Sequence, residues 1–368
     1  MTAQHRQRHI VYSFESERRL KACFIGAGGH AYRNVLPAMR YAPVDVTGIC
    51  DIDPARAAAY AAQFGIPRSY GSHRTMLETE RPDVVFIITA YDPDGRVQAA
   101  DLALEALNAG FHVWTEKPAA ASLAEIEAIG AAAVRAGRQF MVGTKKIFFP
   151  TIEKLKEITT DPAFGAPSSI AVRYPQALPP PADRGDLRRM RSVIDHVYHP
   201  MAIVNHLMGP VERASHEWEP TNGAAVFNLR FVSGAIGTVH FAAGQSGSGP
   251  LERVEVIGKG ANAVVENGVR LTYYRTAERP AYGRAASFLQ PNETAPLVWE
   301  PEFSLGQLYN NSMFLLGYVP EVLHFCDAVL DGRAVTKGTA AEAVEIMRFY
   351  EFIATTPPGV TGHINPLA

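Results

Sequence analysis

A glycine-rich run at residues 26–31 (GAGGHA) is the first feature of this 368-residue sequence that points to chemistry. It directly follows an apolar, strand-like run and opens a helical pattern. Glycine permits a tight turn and lets backbone N–H groups approach a pyrophosphate, while a helix N-terminus favours negative charge. We therefore expect Gly26, Gly28, Gly29 and His30 to contact a dinucleotide, although such a run alone also fits an ordinary glycine-rich turn.

A carboxylate supplies the second element of this signal. Asp51 ends the next strand-like run, about 20 residues downstream, where a carboxylate accepts hydrogen bonds from the ribose hydroxyls of adenosine. The same charge would repel the 2′-phosphate of NADP, and the next residue is Ile52 rather than an arginine or serine that could clamp it. The pattern therefore favours NAD as cofactor, with NADP the weaker alternative.

The elements that must position these residues follow from the apolar pattern. From Leu20 to Gly143, short apolar runs alternate with helical patterns, which predicts parallel βαβ units. Pro37 lies inside the first predicted helix and should kink it. We predict an α/β fold in which an N-terminal arm (1–19) precedes a Rossmann domain that binds NAD(P) (20–144).

The pattern changes after Pro150, where prolines punctuate the chain. One helix is predicted near 198–208, followed by strand-like runs joined by turns such as Asn267-Gly268, which favours antiparallel pairing. Two closing helices are separated by Asp331-Gly332. We predict a C-terminal α+β domain (145–368) with a large, mostly antiparallel open sheet that binds substrate and mediates oligomerisation.

Composition excludes several function classes. A net charge of -2 with both signs interspersed gives no broad basic field for nucleic acid or anionic lipid. Three cysteines form no disulfide framework, no zinc-type spacing occurs, and no apolar run suits a signal peptide or a membrane span. We expect a cytoplasmic protein with no metal, no nucleic acid partner and no membrane association.

Three segments resemble the Gfo/Idh/MocA family of oxidoreductases: the run at 26–31, Glu116-Lys117-Pro118, and residues 195–209, which begin with Asp195. The resemblance covers nearly the whole chain. It implies an NAD-dependent enzyme that transfers a hydride between the nicotinamide and a hydroxyl-bearing carbon of a sugar, polyol or sugar acid. It also implies cofactor contacts at Thr89, Glu116 and Lys117 and substrate contacts at Lys117, Lys146, Asp195 and His199. For Lys146, which follows Lys145, a solvated basic turn is the alternative.

Lys117 is the first catalytic candidate that the resemblance implies. A lysine beside a positively charged nicotinamide can relay the hydroxyl proton while the hydride leaves the carbon. Catalysis is then expected where the two domains meet. The alternative is a lysine that only pairs with Glu116 or caps a strand end.

Two histidines are the other catalytic candidates. Helical spacing places His199, Ala202 and His206 on one face. Family members commonly carry an aspartate at 202 and a glycine at 197, where this chain has Ala202 and Val197. Without that carboxylate His206 lacks the partner that would orient its ring, so His199 is the stronger candidate. A core or helix-capping histidine is the alternative for each.

Two further features concern ligands and assembly. A run of arginines could hold a carboxylate or phosphate of the substrate or could face water: Arg184, Arg188, Arg189 and Arg191. The open face of the second-domain sheet is expected to expose Val226, Leu229 and Val239, and pairing two such faces predicts a homodimer or homotetramer.

Two other functions fit the same residues. Some relatives in this family are glycosidases that oxidise a sugar carbon transiently and recycle their cofactor. A non-catalytic, dinucleotide-binding regulator would also retain the glycine run, and the alanine at 202 is compatible with it.

Overall fold

The structure is a computed structural model that describes residues 16–275, 296–300 and 311–365. The described part contains two compact units. The predicted N-terminal arm lies outside the described residues as far as residue 15. Within the described ranges, no helix combines the length and the apolar character needed to cross a membrane.

The first unit runs to Gly143 and also includes Tyr318–Ala340, while the second contains Thr144–Gly317 and the residues from Ala341 onward. The sequence did not predict that Tyr318–Ala340 belongs to the first unit, because its pattern of apolar and turn residues changes only once, after Pro150. Its helix packs there through Phe325, whose ring lies 5.9 Å from that of Phe86 in an edge-on contact.

The first unit is built on a six-stranded parallel sheet whose strand order is β3-β2-β1-β4-β5-β6. This is the doubly wound order of a dinucleotide-binding fold and confirms the predicted fold class. Its strands are β1 (Leu20–Ile25), β2 (Val44–Cys50), β3 (Arg68–Tyr70), β4 (Val84–Ile87), β5 (His112–Glu116) and β6 (Phe140–Gly143). Its helices include α1 (31–41), α2 (Pro54–Phe64), α3 (His73–Glu80), α4 (Ala99–Asn108), α5 (Leu123–Ala136) and α9 (Tyr318–Leu330).

Helix α1 is irregular, as Pro37 predicts. It consists of a π-helical turn over Ala31–Val35, an α turn over Leu36–Ala38 and a 3-10 turn over Met39–Tyr41. Proline donates no backbone hydrogen bond and its ring crowds the preceding turn, so a regular helix cannot continue through it. The deviation therefore has a local cause and leaves the glycine run at the start of the helix intact.

The second unit contains a nine-stranded sheet in the order β14-β13-β12-β11-β7-β10-β9-β8-β15. Pairing is antiparallel except between β7 and β10, which confirms the predicted mostly antiparallel sheet. Its strands are β7 (Ser169–Tyr174), β8 (Val211–Trp218), β9 (Ala225–Phe231), β10 (Ile236–Phe241), β11 (Arg253–Ile257), β12 (Asn262–Glu266), β13 (Arg270–Tyr274), β14 (Leu297–Trp299) and β15 (Gly362–His363). Its helices are α6 (Pro150–Thr160), α7 (Leu187–Met208) and α8 (Asn311–Leu315), together with α10 (Ala340–Thr355), whose first residue is counted with the first unit.

The turn between β12 and β13 shows how local sequence sets strand register. Asn267 and Gly268 both have positive φ, 50° and 67°, the geometry of a type I′ hairpin turn. Asparagine and glycine tolerate that conformation better than other residues do. The N–H of Val269 donates to the carbonyl oxygen of Glu266 across the turn, and the strands then pair with Glu266 opposite Arg270. The predicted Asn-Gly hairpin is confirmed.

The open sheet face carries different apolar residues from those expected. Val226 is 40% exposed, but Leu229 and Val239 are buried, so the prediction was wrong for these two residues. Side chains alternate along a strand, and an odd separation places positions 226 and 229 on opposite faces. Ile236 on β10 and Ile257 on β11, 55% and 43% exposed, are exposed apolar side chains on the same face as Val226.

Candidate functional site

The glycine run forms a tight turn at the end of β1. Gly26 has a φ of +103°, and a β-carbon built on it would lie 1.9 Å from the carbonyl oxygen of Ile88. No other residue type fits that position. A β-carbon on Gly28 would meet nothing within 4 Å, so its backbone faces open space where a ligand can approach.

Asp51, directly after β2, is tied to this turn through its carboxylate. Its Oδ2 accepts a hydrogen bond of 2.8 Å from the N–H of Ala27. Its Oδ1 accepts from the N–H of Asp53 at 2.9 Å and from Nη2 of Arg56 at 3.0 Å. The carboxylate thus lies beside the glycine run, in the place where a dinucleotide ribose binds in this class of fold.

His30 connects the glycine run to the end of β5. Its Nε2 lies 3.1 Å from Oε1 of Glu116, and its Nδ1 accepts a hydrogen bond of 3.2 Å from the amide of Asn34. A side chain at Gly143 would collide with Glu116, since a β-carbon there would lie 2.5 Å from Oε2. The strand ends that carry the glycine run and Glu116 are therefore held together by direct contacts.

Lys117 and Thr89 complete the polar groups of the first unit. Lys117 follows Glu116 directly, is half-buried and precedes Pro118 through a cis peptide bond. The Thr89 hydroxyl, just beyond β4, is buried and lacks a hydrogen-bond partner among the described residues. Buried polar groups are normally satisfied, so a ligand that supplies a partner fits this position. The open space over Gly28 and the unsatisfied hydroxyl of Thr89 both suit a bound dinucleotide.

The second unit gathers three aromatic and imidazole rings at the end of β7. The ring of Tyr174 lies 6.0 Å from that of His199 and 6.4 Å from that of His196, and the two histidines lie 6.2 Å apart. Asp195 is the residue before His196 on α7, and its carboxylate is 3.8 Å from that imidazole. We call Tyr174, Asp195, His196 and His199 the α7 cluster.

The proton of the His196 ring is fixed by the helix. Its Nδ1 lies 2.8 Å from the backbone oxygen of Ser192. A carbonyl only accepts, so Nδ1 must donate, and in the neutral ring Nε2 is left as a hydrogen-bond acceptor.

Lys146 is buried and paired, with 7% of its surface exposed. Its ammonium group donates to Glu252 and lies 4.6 Å from the centre of the Tyr174 ring. Burial lowers the pKa of Lys146, and the charge of Glu252 opposes this shift. Burial also raises the pKa of Tyr174, with a further contribution from Glu252. Lys146 thus packs against Tyr174 of the α7 cluster from the buried side. Its predicted contact with substrate stays a prediction.

His206 lies two helical turns beyond His199, about 10 Å along α7 at the rise of an α-helix. Its backbone oxygen accepts a hydrogen bond of 2.6 Å from Lys156 of α6. Ala202 and Val197, which replace the aspartate and glycine common in the resembling family, are both buried. The catalytic role of His206 stays a prediction.

The arginine run divides between burial and the surface. Arg184 is 3% exposed and donates to the carbonyl of Pro179 and to Nε2 of His216, so neither a substrate role nor a solvent-facing role suits it. Burial, with the charge of Arg184, lowers the pKa of His216 to about 4, which keeps that ring a neutral acceptor. Arg188 is exposed and pairs with Asp186. Helix α7 begins at Leu187, inside this run of arginines, so its members do not share one environment.

A cavity of about 380 Å³ adjoins the α7 cluster. That volume lies in the range of small-molecule sites. Its polar lining residues are neutral amides, hydroxyls and one imidazole: Gln176, Ser192, His196, Asn222, Gln245 and Ser246. Among the residues that the structure describes, neither a lysine nor an arginine lines this cavity. The surface is therefore suited to hydrogen bonding rather than to binding an anion.

Sequence reasoning missed four of these residues, namely Arg56, Tyr174, His196 and Glu252. The pairing of Glu252 with Lys146 spans 106 residues, so no local pattern reveals it. His196 lies in the segment 195–209 that resembles the family. It precedes His199 by three residues on a helix, a spacing that predicts both rings on one face of that helix. Among the described residues, no group of side chains has the composition of a metal site.

The N-terminal part of the chain matches a known protein family. Residues 20–144 match the model of the Gfo/Idh/MocA oxidoreductase family with an NAD-binding Rossmann fold. The chain is 32% identical to a D-xylose 1-dehydrogenase (NADP(+)) of Haloferax volcanii over 43% of its length and 47% of that protein. It is 30% identical to a D-apiose dehydrogenase of Paraburkholderia graminis over 61% of its length and 59% of that protein. The alignments thus span about half the length of these curated relatives.

Solved structures share the fold over nearly the whole chain. A levoglucosan dehydrogenase in complex with NADH and L-sorbose aligns with a TM-score of 0.76 at 19% identity, covering 95% of this chain and 100% of that one. An oxidoreductase from Agrobacterium radiobacter in complex with NAD+, L-tartaric acid and magnesium aligns with a TM-score of 0.73 at 20% identity, covering 94% and 98%. These likenesses establish the two-part fold.

Proposed function

We propose that this protein, which belongs to the Gfo/Idh/MocA family of oxidoreductases, is an NAD-dependent dehydrogenase of a neutral sugar or polyol. The observation that carries the proposal is the bond between Asp51 and the N–H of Ala27 in a sheet of order 3-2-1-4-5-6. It places a carboxylate and an open glycine turn side by side at the strand ends where dinucleotides bind. The named relatives act on sugars, which supports the substrate class.

Residues of the first unit would hold the cofactor. Backbone N–H groups of the glycine run would face the pyrophosphate, Asp51 the ribose and Thr89 the nicotinamide half. When bound, NAD supplies the hydride acceptor. The polar groups that surround it are already fixed, because His30 contacts Glu116 and Asp51 is bonded to backbone. Such fixed groups need no rearrangement during reaction.

Lys117 is the proposed proton acceptor. It follows Glu116 immediately and is half-buried, which keeps its stem in place while the amine can reach a ligand. As hydride leaves a substrate carbon, the hydroxyl on that carbon must lose its proton, and an amine hydrogen-bonded to it can take that proton. His199, with Asp195 on the preceding helical turn, is the second proposed catalytic and substrate-binding residue, and it belongs to the second unit.

The α7 cluster and its cavity favour a neutral substrate over a sugar acid. Gln176, Ser192, His196 and Asn222 offer donors and acceptors that match hydroxyl groups. A carboxylate in the cavity would meet no lysine or arginine among the described lining residues, and Asp195 beside His196 would repel it.

We also propose that the protein forms a homodimer or homotetramer and that it is located in the cytoplasm. Val226, Ile236 and Ile257 leave apolar surface on the open sheet face, and pairing that face in a homodimer or homotetramer would bury it. Light scattering that gives the mass of a monomer would contradict this part. Buried, unpaired Cys23, Cys50 and Cys326 favour a reducing compartment such as the cytoplasm.

The test is NADH formation with a panel of aldoses, inositols and sugar acids. We expect wild-type turnover of at least one neutral member. Lys117→Met should lower kcat about 100-fold or more, since general base catalysis contributes that much. Lys154→Met, which removes a half-buried lysine paired with Glu157, is the matched control and should act as wild type.

Other outcomes would point to the other functions. Cleavage of a glycoside without net NADH would indicate transient oxidation with cofactor recycling. Tight NAD binding without turnover of any panel member would indicate a regulator. Equal turnover by wild type and Lys117→Met would refute the assignment of Lys117.

A further inference from the structure

We infer that the cavity beside the α7 cluster binds a second, neutral sugar ring, so that the preferred substrate is a disaccharide or another glycoside rather than a single ring. The inference rests on the proposed dehydrogenase function and adds the substrate class to it. All residues that line the cavity belong to the second unit. Its described lining includes none of the catalytic candidates Lys117, His199 and His206. The cavity therefore lies next to the proposed place of reaction and not at it.

Helix α7 connects the cavity to His199. Ser192, His196 and His199 are four and three residues apart, a spacing that places them along one face of the helix. Ser192 and His196 line the cavity, and the rings of His196 and His199 lie 6.2 Å apart. At the rise of an α-helix, Ser192 lies about 10 Å from His199 along the axis. One sugar ring held at His199 is shorter than this distance, so the cavity begins where that ring would end.

Two hydrogen-bond acceptors of the cavity have no partner within the described part of the chain. Gln176 is only 6% exposed, and its amide nitrogen donates to the carbonyl oxygen of Ala177 at 2.7 Å, but its Oε1 accepts no hydrogen bond there. Nε2 of His196 is the second acceptor, because Nδ1 of that ring donates to the backbone of Ser192. Buried acceptors are normally satisfied, so a ligand that supplies donors suits these atoms. Sugar hydroxyl groups are such donors.

Other walls of the cavity carry neutral groups that are held in place. The side chain of Gln245 donates to the carbonyl oxygen of Leu251 at 3.3 Å and accepts from its N–H at 2.8 Å, which closes the loop 245–251. Asn222, in the turn between β8 and β9, is exposed and lines the cavity. Its N–H donates to Glu219 at 2.8 Å, which holds the turn. Such groups suit an uncharged ring and lose little freedom when it binds.

The test compares NADH formation from cellobiose, maltose and lactose with that from glucose, galactose and methyl glucoside, which lack a second ring. We expect kcat/KM of wild type to be at least about tenfold higher for one or more of the disaccharides, because each added hydrogen bond contributes about fivefold. Ser192→Trp fills the cavity from an exposed position on α7. It should lower kcat/KM for that disaccharide at least about tenfold and change the value for the hexoses by less than about threefold.

The controls separate this role from a structural one. Ser233 is an exposed serine of the same unit that also makes a hydrogen bond of 3.4 Å and is not among the described lining residues, so Ser233→Trp should act as wild type. Asn222→Ala is a milder variant that should lower kcat/KM for the disaccharide about fivefold with an unchanged melting curve. His196 also faces the ring at His199, so His196→Ala should weaken both substrate classes. Calorimetric titration of the disaccharide into protein saturated with NADH should show the same losses without turnover.

Two results would overturn the inference while leaving the proposed function intact. One is a wild type that oxidises hexoses or polyols at least as efficiently as every disaccharide. The other is that Ser192→Trp and Asn222→Ala change disaccharides and hexoses by the same factor. Absence of NAD binding to wild type would instead refute the proposed function and, with it, this inference.

Discussion

Substitution of Gly28 by alanine should separate cofactor binding from folding. A β-carbon at this position meets no atom within 4 Å and the backbone is not in the positive-φ region, so the folded protein gains no strain. The free energy of unfolding should stay within about 1 kcal/mol of wild type. The methyl group would, however, occupy the space through which a pyrophosphate approaches the backbone. We expect NAD affinity to fall at least about tenfold, or about 1.4 kcal/mol.

Gly26→Ala is the matched contrast. Its β-carbon would lie 1.9 Å from the oxygen of Ile88, at a φ of +103°. The chain must shift there, and we expect a loss of about 3 kcal/mol or more from strained backbone and overpacking. Thermal unfolding and calorimetric titration measure the two quantities for each variant. Wild-type NAD affinity in Gly28→Ala, or equal destabilisation by both substitutions, would refute the reasoning.

Three further predictions concern the second unit and the response to pH. Glu252→Gln leaves the buried ammonium of Lys146 without its counter-charge, so the free energy of unfolding, measured by chemical denaturation, should fall by about 3 kcal/mol. The control is Glu255→Gln, in a more exposed pair with Arg253, which should lower it by less than about 1 kcal/mol. Because burial puts the folded pKa of Lys146 below its ordinary 10.5, stability of Glu252→Gln should rise with pH up to that value; a flat profile would contradict this. His196→Ala should raise KM for a neutral polyol about fivefold with kcat little changed, while His363→Ala on β15 should change neither; a loss confined to kcat would exclude a binding role. Hydrogen bonding from Arg68 lowers the pKa of Glu80 to about 2, so the contribution of Glu80 to stability, present above pH 4.5, should be lost as pH drops to 2, a change of up to about 3 kcal/mol. Glu80→Gln should remove this part of the acid dependence; an unchanged slope in the variant would refute the assignment.

The parts of the molecule that the sequence predicts well are those fixed by local pattern. The glycine run, Asp51 and the Asn267-Gly268 turn each depend on the conformation of a few neighbouring residues. The alternation of apolar runs likewise predicts the parallel sheet, because strands buried on both faces are continuously apolar.

The parts that it misses depend on contacts between distant residues. Strand β8 (VERASHEW) contains charged residues at exposed positions and offers no clear apolar signal. Arg184 resembles a surface charge, but it is buried because Pro179 and His216 accept its hydrogen bonds. The partner of Lys146 and the return of Tyr318–Ala340 to the first unit are likewise set by tertiary packing.

Calorimetric titration of NAD into the purified wild-type protein tests the central claim most directly, because every proposed role depends on a dinucleotide at the glycine run and Asp51. We predict saturable binding of one NAD per chain, weakened by Gly28→Ala. A folded protein that takes up neither NAD nor NADP would contradict the account.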